Sequence, residues 1–161
     1  MDFLDRKILQ QLQEDASIPL ADLAKKVGLS TTPCWRRVQK LEADGVIVKR
    51  VALLDKDKLN LKLTAFMAIT TNRHNAQWLE HFGSVVNDFP EVVEFHRLAG
   101  SVDYLLKIVV ESMSEYDEFY KRLIARVEIS EVSSWFAMES IKSTTALPLP
   151  AVKAKKAHEP T

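Results

Sequence analysis

The chain has 161 residues, 47% hydrophobic and 27% charged, with Lys/Arg and Asp/Glu balanced at 22 each. That length suits one domain or two small ones of ordinary globular composition, and a zero net charge gives no global field for an anionic partner, only room for a local basic patch. A single cysteine excludes an internal disulfide and a Cys-based metal cage, and no apolar run nears the roughly 18 residues of a membrane helix. With no signal-peptide pattern either, a cytoplasmic location is expected.

Leu4, Ile8, Leu9 and Leu12 predict an amphipathic first helix, with Asp2 and Asp5 near its positive end. Ser17-Ile18-Pro19 breaks it. Leu20, Leu23, Ala24 and Val27 mark a short second helix that stops at Gly28. A third helix opens at Ser30, a natural N-cap, with Pro33 in its first turn. Its Cys34, Val38 and Leu41 recur at i, i+4, i+7 and form one apolar stripe, while Thr31, Thr32, Trp35, Arg36, Gln39 and Lys40 occupy the other side. Taken alone, this helix is equally a solvated surface helix or a DNA recognition helix. Two helices separated by a glycine turn, with another helix before them, make the helix-turn-helix pattern. Residues 46–54, β-branched and aliphatic, predict a strand or wing after the Ala43-Asp44-Gly45 stop. Lys49 and Arg50 on it either reach phosphates or simply keep a strand edge soluble. The polar, charge-alternating stretch 55–61 is expected to link two modules.

Beyond it the periods alternate. Leu63 to Ile69 predicts a strand; Trp78, Leu79, Phe82, Val85, Val86 and Phe89 have helical spacing up to the Pro90-Glu91 break. Val92 to Leu98 and Asp103 to Val110 predict strands around the turn Ala99-Gly100-Ser101-Val102. Ser114 is expected to cap a helix with Tyr116, Phe119, Tyr120, Leu123 and Val127 inward, and Val132 to Ile141 to close as a strand. The order βαββαβ is the ferredoxin-like arrangement, so the fold class is α+β: a winged helix-turn-helix over 1–54, a linker over 55–61 and a ferredoxin-like domain over 62–149. Its uncovered sheet face, apolar in nearly every strand, is expected to pair with a second copy. Residues 150–161, with Pro150, Pro160, Lys153, Lys155 and Lys156, are expected to form a flexible tail.

These residues in this order resemble the Lrp/AsnC family of transcriptional regulators. The N-terminal match is Leu4-Asp5-Arg6-Lys7-Ile8-Leu9, Leu23-Ala24, Val27-Gly28-Leu29-Ser30, Arg37-Val38, Leu41-Glu42 and Gly45-Val46-Ile47. The C-terminal match is Pro90-Glu91-Val92, Gly100 with Asp103-Tyr104-Leu105-Leu106, and Met138-Glu139 with Lys142. Together they span residues 2–149. The chain departs from the family at Ser17, at Pro19-Leu20 and at Ile129-Ser130, none of which touches a motif. Thr32-Pro33-Cys34-Trp35, Phe136-Ala137-Met138-Glu139 and Thr144-Thr145 with Leu147-Pro148 further resemble a cysteine-responsive branch.

The resemblance implies a regulator that binds double-stranded DNA, senses a free amino acid of the cysteine, leucine or methionine type, needs no cofactor, and forms homodimers that often assemble to octamers. In the major groove, Thr31, Thr32, Trp35 and Arg36 would lie nearest the bases, Arg36 facing guanine, with Ser30 a further DNA-binding candidate at the helix start. Arg37 and Lys40 would then anchor phosphates, although Arg37 has acidic alternatives in Glu42 and Asp44. For the effector, the turn Leu98–Tyr104 offers backbone N–H groups to a carboxylate around Gly100 and Ser101, with Asp103 as partner for an ammonium group. The resemblance adds Trp135, Phe136, Ala137 and Met138, in pockets between subunits. Plain hairpin chemistry at Gly100–Asp103 and packing at Trp135 and Phe136 are the alternatives.

An enzyme is disfavoured. Cys34 lies on an apolar stripe, where a small buried thiol is a simpler reading than a nucleophile or redox sensor. His74, His81 and His96 have no metal-site spacing. A metal-dependent winged-helix repressor and an effector-independent architectural DNA-binding protein remain the rival classes.

Overall fold

The computed structural model describes residues 1–73 and 75–149; His74 and the tail expected over 150–161 lie outside the described residues. The described residues divide into two compact units, one of residues 1–52 with 142–149 and the other of 53–141. Among the described residues, no helix is long and apolar enough to cross a membrane.

The first unit is built from α1 (Phe3–Glu14), α2 (Leu20–Val27) and α3 (Thr31–Ala43). Asp2 caps α1 in a reciprocal box: its carboxylate accepts the Asp5 N–H at 3.0 Å, and the Asp5 carboxylate accepts the Asp2 N–H at 2.8 Å. Ser30 occupies the N-cap position of α3, but its side chain makes no capping bond. Ile8 and Leu9, then Leu23, Ala24 and Val27, then Cys34, Val38 and Leu41 form one core. It is the set the periodicity selects, because only one stripe of a short helix can be buried. Gly28 ends α2 at φ +77°, where its N–H reaches the carbonyls of Ala24 and Lys25.

Three expectations for this region are corrected. Residues 46–54 form no strand or wing: Gly45 turns the chain at φ +70°, Ile47 drops onto the core, and the backbone beyond finds no ladder partner among the described residues. Residues 55–61 are a pinned turn of the second unit. Asp55 accepts the N–H groups of Asp57 and Lys58, and the Asn60 side chain donates to Glu111 at 3.2 Å. Residues 142–149, expected with the sheet, belong to the helical unit.

The second unit runs β1 (Leu63–Thr70), α4 (Ala76–Asn87), β2 (Val92–Arg97), β3 (Tyr104–Val110), α5 (Met113–Ile124) and β4 (Glu131–Phe136). The sheet order is β2-β3-β1-β4 with every neighbouring pair antiparallel. This is the βαββαβ arrangement. Phe82 of α4 and Phe119 of α5 are fully buried against Met67, Ile69, Leu106 and Ile108. α5 is capped by Ser112, whose hydroxyl accepts the Glu115 N–H, so Ser114 lies inside the helix. β4 ends at Phe136, five residues short of expectation. β1 begins at Leu63, so it offers only one more bond, from Ala137 N–H to the Thr64 carbonyl.

The face away from α4 and α5 is more polar than expected. In register across it stand Glu94, Lys107, Phe66 and Trp135, with His96, Leu105 and Ala68 one row away. Lys107 Nζ lies 2.7 Å from Glu94 and holds its carboxyl below the usual range, with help from His96. The apolar appearance of the strands came from their helix-facing alternate residues.

A Cβ on Gly28 would meet nothing within 4 Å, so any cost of filling it is backbone strain alone. Gly28→Ala is expected to lower stability by about 1–2 kcal/mol, and Gly28→Asn by less, read from denaturant midpoints at constant slope.

Candidate functional site

Burial of Cys34, Val38 and Leu41 turns the other side of α3 outward. Ser30, Thr31, Thr32, Trp35, Arg36, Gln39 and Lys40 are on that side, and Trp35 keeps half of its surface accessible. Arg36 makes no ion pair among the described residues. Cys34 faces the core, where burial pushes its thiol up and away from thiolate chemistry.

Arg37, expected at a phosphate or beside Glu42 or Asp44, is instead held by Asp2 and Asp5. Its Nη1 lies 2.8 Å from Asp2 and 2.6 Å from Asp5. The oxygens left over from the α1 capping box thus grip α3. Lys40 pairs with Asp44 at 2.8 Å and Arg50 with Glu42 at 2.9 Å, both near the surface. Such pairs are worth about 1 kcal/mol or less at physiological salt and exchange readily. Lys49 is exposed beside Arg50 on irregular backbone.

In the second unit, the turn between β2 and β3 is tied by Asp103. Its carbonyl accepts the Leu98 N–H at 2.8 Å, and its own N–H donates to the Ile69 carbonyl at 3.0 Å. Its carboxylate accepts the Thr71 N–H at 2.8 Å, so the hairpin chemistry considered for this residue is present. Gly100 stands at φ +145°, a conformation closed to other residues without strain. Leu98, Ala99, Gly100 and Ser101 are exposed and Val102 partly so. Tyr104 is different: it is buried among Trp78, Phe82 and Phe95 and is part of the core.

The effector candidates do not converge within one chain. Asp103 abuts the Ile69 end of β1, whereas Phe136 pairs with Ala65 and Ala137 reaches Thr64. Four to five strand residues separate them, about 15 Å along the sheet. Trp135 projects from the open face, 56% exposed, while Phe136 packs edge-on against Tyr116. Ala137 and Met138 are exposed beyond the end of β4. Near the turn, sequence reading missed Thr71, which is buried, and Ser130, whose hydroxyl accepts the Asn72 N–H. A cavity of about 300 Å³, lined by Tyr120, Ile124 and Val127 to Val132, opens at the same end of the sheet. No pattern in the sequence marks these residues, because they meet only when β4 pairs with β1. Among the described residues, no cluster of His, Cys, Asp and Glu could hold a metal ion.

Three packed helices with a cationic outer face on α3, in one chain with a ferredoxin-like sheet unit, define a class of one-component DNA-binding regulators. Comparison with known proteins makes the assignment narrower. Residues 1–42 match the AsnC-type helix-turn-helix domain and residues 64–147 the Lrp/AsnC ligand binding domain. The chain belongs to the Lrp/AsnC family of transcriptional regulators. It is 51% identical over 155 residues to the glutamate uptake regulatory protein of Zymomonas mobilis, covering 96% of this chain and 94% of that one. It is 50% identical over 150 residues to the DNA-binding transcriptional activator DecR of Escherichia coli, covering 92% and 99%. A crystal structure of an AsnC family regulator from Agrobacterium tumefaciens superposes with a TM-score of 0.90 at 64% identity, over 92% and 97% of the two chains. A transcriptional regulator from Neisseria meningitidis solved with L-Met superposes at 0.87 and 35% identity, over 92% and 96%. These matched domains and relatives are transcription regulators, not enzymes.

Arg37→Ala is expected to lower the melting temperature of the helical unit at neutral pH. Hydrogen bonds from the Asp5 N–H and from Arg37 lower the Asp2 pKa. The contribution is therefore fully present above the unfolded carboxyl range and lost as pH falls below it through the lowered folded value. The gap between wild type and variant should close below about pH 4; a gap that is constant from neutral to acid pH would rule the clamp out.

Proposed function

We propose that this chain is a sequence-specific DNA-binding regulator whose affinity or assembly is set by a free amino acid. The observation that carries the DNA reading is the outward face of α3: Thr31, Thr32, Trp35 and Arg36 together on the side opposite a buried stripe. Arg36 is the residue that reads a base, through a two-pronged contact to guanine; Trp35 packs on a thymine methyl or donates its ring N–H. Lys40, Lys49 and Arg50 meet phosphates, Lys40 and Arg50 by exchanging their carboxylate partners, and Arg37 serves by holding α3 to α1. One module makes too few contacts for specific binding, so two copies present their helices about 34 Å apart on one face of the duplex.

The second copy joins through the open sheet face, where Trp135 and Phe66 offer apolar area and Glu94 with Lys107 offers complementary charge. Further assembly of such dimers, to octamers, follows the family pattern. The Gly100 turn and the Ala137–Met138 end lie apart in one chain, so in this scheme the pocket takes the turn from one copy and that strand end from the other. The L-Met held by the Neisseria relative supports an amino-acid ligand. Its carboxylate takes the N–H groups of the Gly100 turn, and its ammonium the Asp103 carboxylate beside the Thr71 bond. A ligand that fits one assembly better than another shifts their populations and with them the spacing of the recognition helices. No cofactor enters this scheme, and a cytoplasmic location accords with it.

Arg36→Ala is expected to weaken binding to a selected operator by about 1–3 kcal/mol at fixed salt, with little change on random duplex. Operator titrations with cysteine, leucine and methionine identify the effector, and indifference to all three favours an architectural role. Asp103→Asn keeps an oxygen for Thr71 but loses the charge. It should abolish the amino-acid response, and an undiminished response would move the ammonium site elsewhere.

A further inference from the structure

The buried stripe of Cys34, Val38 and Leu41 fixes which side chains of α3 point away from the core. At about 100° per residue, Thr32, Arg36, Gln39, Lys40 and Ala43 lie within about 60° of the opposite direction, whereas Trp35 falls nearer 90°. Lys40 is paired with Asp44. Gln39, exposed, is therefore the polar neighbour of Arg36 toward the end of the helix. Three residues advance a helix by about 4.5 Å, close to the roughly 3.4 Å step between base pairs. With Arg36 on one base, Gln39 stands against the next.

The Gln39 amide is not free to turn. Its Nε2 donates to Glu42 Oε2 at 2.9 Å, and the other oxygen of that carboxylate accepts from Arg50 Nη2, also at 2.9 Å. A carboxylate only accepts hydrogen bonds, so the nitrogen end of the amide is the end that Glu42 can hold. Arg50 steadies Glu42 in turn, from the chain beyond the Gly45 turn. That leaves Gln39 with its oxygen to offer a ligand.

We infer that Gln39 is a second base-reading residue and Glu42 the positioning residue that turns its acceptor to the groove, so that the base beside the Arg36 contact must present an amino group. In the major groove adenine N6 and cytosine N4 supply that donor, whereas guanine O6 and thymine O4 are acceptors. The inference rests on the DNA-binding reading of α3. Its signature is a position that separates amino from keto bases and treats adenine and cytosine alike.

The test selects duplexes from a randomised library with the full chain at fixed salt. Next to the guanine whose selection Arg36→Ala relaxes, wild type should take adenine and cytosine alike on one strand, about fivefold over guanine and thymine. Gln39→Ala should make all four bases equal there and leave the guanine selected. Glu42→Ala frees both ends of the amide, so it should favour adenine over cytosine by about fivefold or more, through the two-pronged contact of glutamine to adenine. It also releases Arg50, so random duplex should bind about two- to fivefold more tightly. A merely structural role for Glu42 would weaken binding to both. Unchanged selection in Gln39→Ala overturns the inference while the Arg36 contact stands, and selection of adenine alone by wild type overturns the role of Glu42. Wild type that selects no sequence overturns the inference together with the reading of α3 beneath it.

Discussion

Burial of one stripe of α3 is the constraint on which the helical unit depends. Once Cys34, Val38 and Leu41 are committed to a core with Ile8, Leu9, Leu23, Ala24 and Val27, the rotation of the helix is decided and its polar residues have only solvent or a ligand to face. The stripe alone would allow α3 to slide along its axis. The Arg37 clamp opposes that, because two carboxylates already oriented by the α1 capping box receive one guanidinium. Capping, packing and recognition geometry are thereby coupled in a few residues. A change at Asp2 acts on the seating of α3, and so on its outward face, without belonging to that face.

The sheet unit has a comparable keystone in Asp103. One residue closes the β2–β3 turn, binds the end of β1 and receives the backbone of Thr71. In the proposed scheme, a ligand that competes for this carboxylate, or adds to its bonds, would act on all of these segments at once. The open face is a mixed surface of Phe66, Trp135 and the Glu94–Lys107 pair, and in the proposed dimer such a surface would favour a defined register between copies over indiscriminate apolar association.

Much of this is legible in the residues alone. Helical periodicity selects the buried residues of α1, α2 and α3 because a three-helix unit this small has one core and no competing face to fill. Alternation of strand and helix patterns selects βαββαβ because the connections are short and sheet handedness leaves few topologies. Failures arise where one residue type serves several environments. Val46 to Leu54 has strand composition, but a strand exists only where another backbone offers a ladder. Arg37 looks like a phosphate ligand because its partners, Asp2 and Asp5, are more than thirty positions away. Tyr104 sits beside the turn in sequence, yet strand alternation points its ring into the aromatic cluster with Trp78 and Phe82.

The sequence by itself determined the two modules, their order, the buried stripes and the family, since these depend on local period, turn chemistry and motif spacing. Tertiary structure decided which charges are free and which are spent, where the peptide of residues 142–149 docks, and that the effector candidates stand at opposite ends of one sheet. Those properties depend on distances between residues far apart in the chain. No local pattern encodes a distance of that kind; only the folded register does.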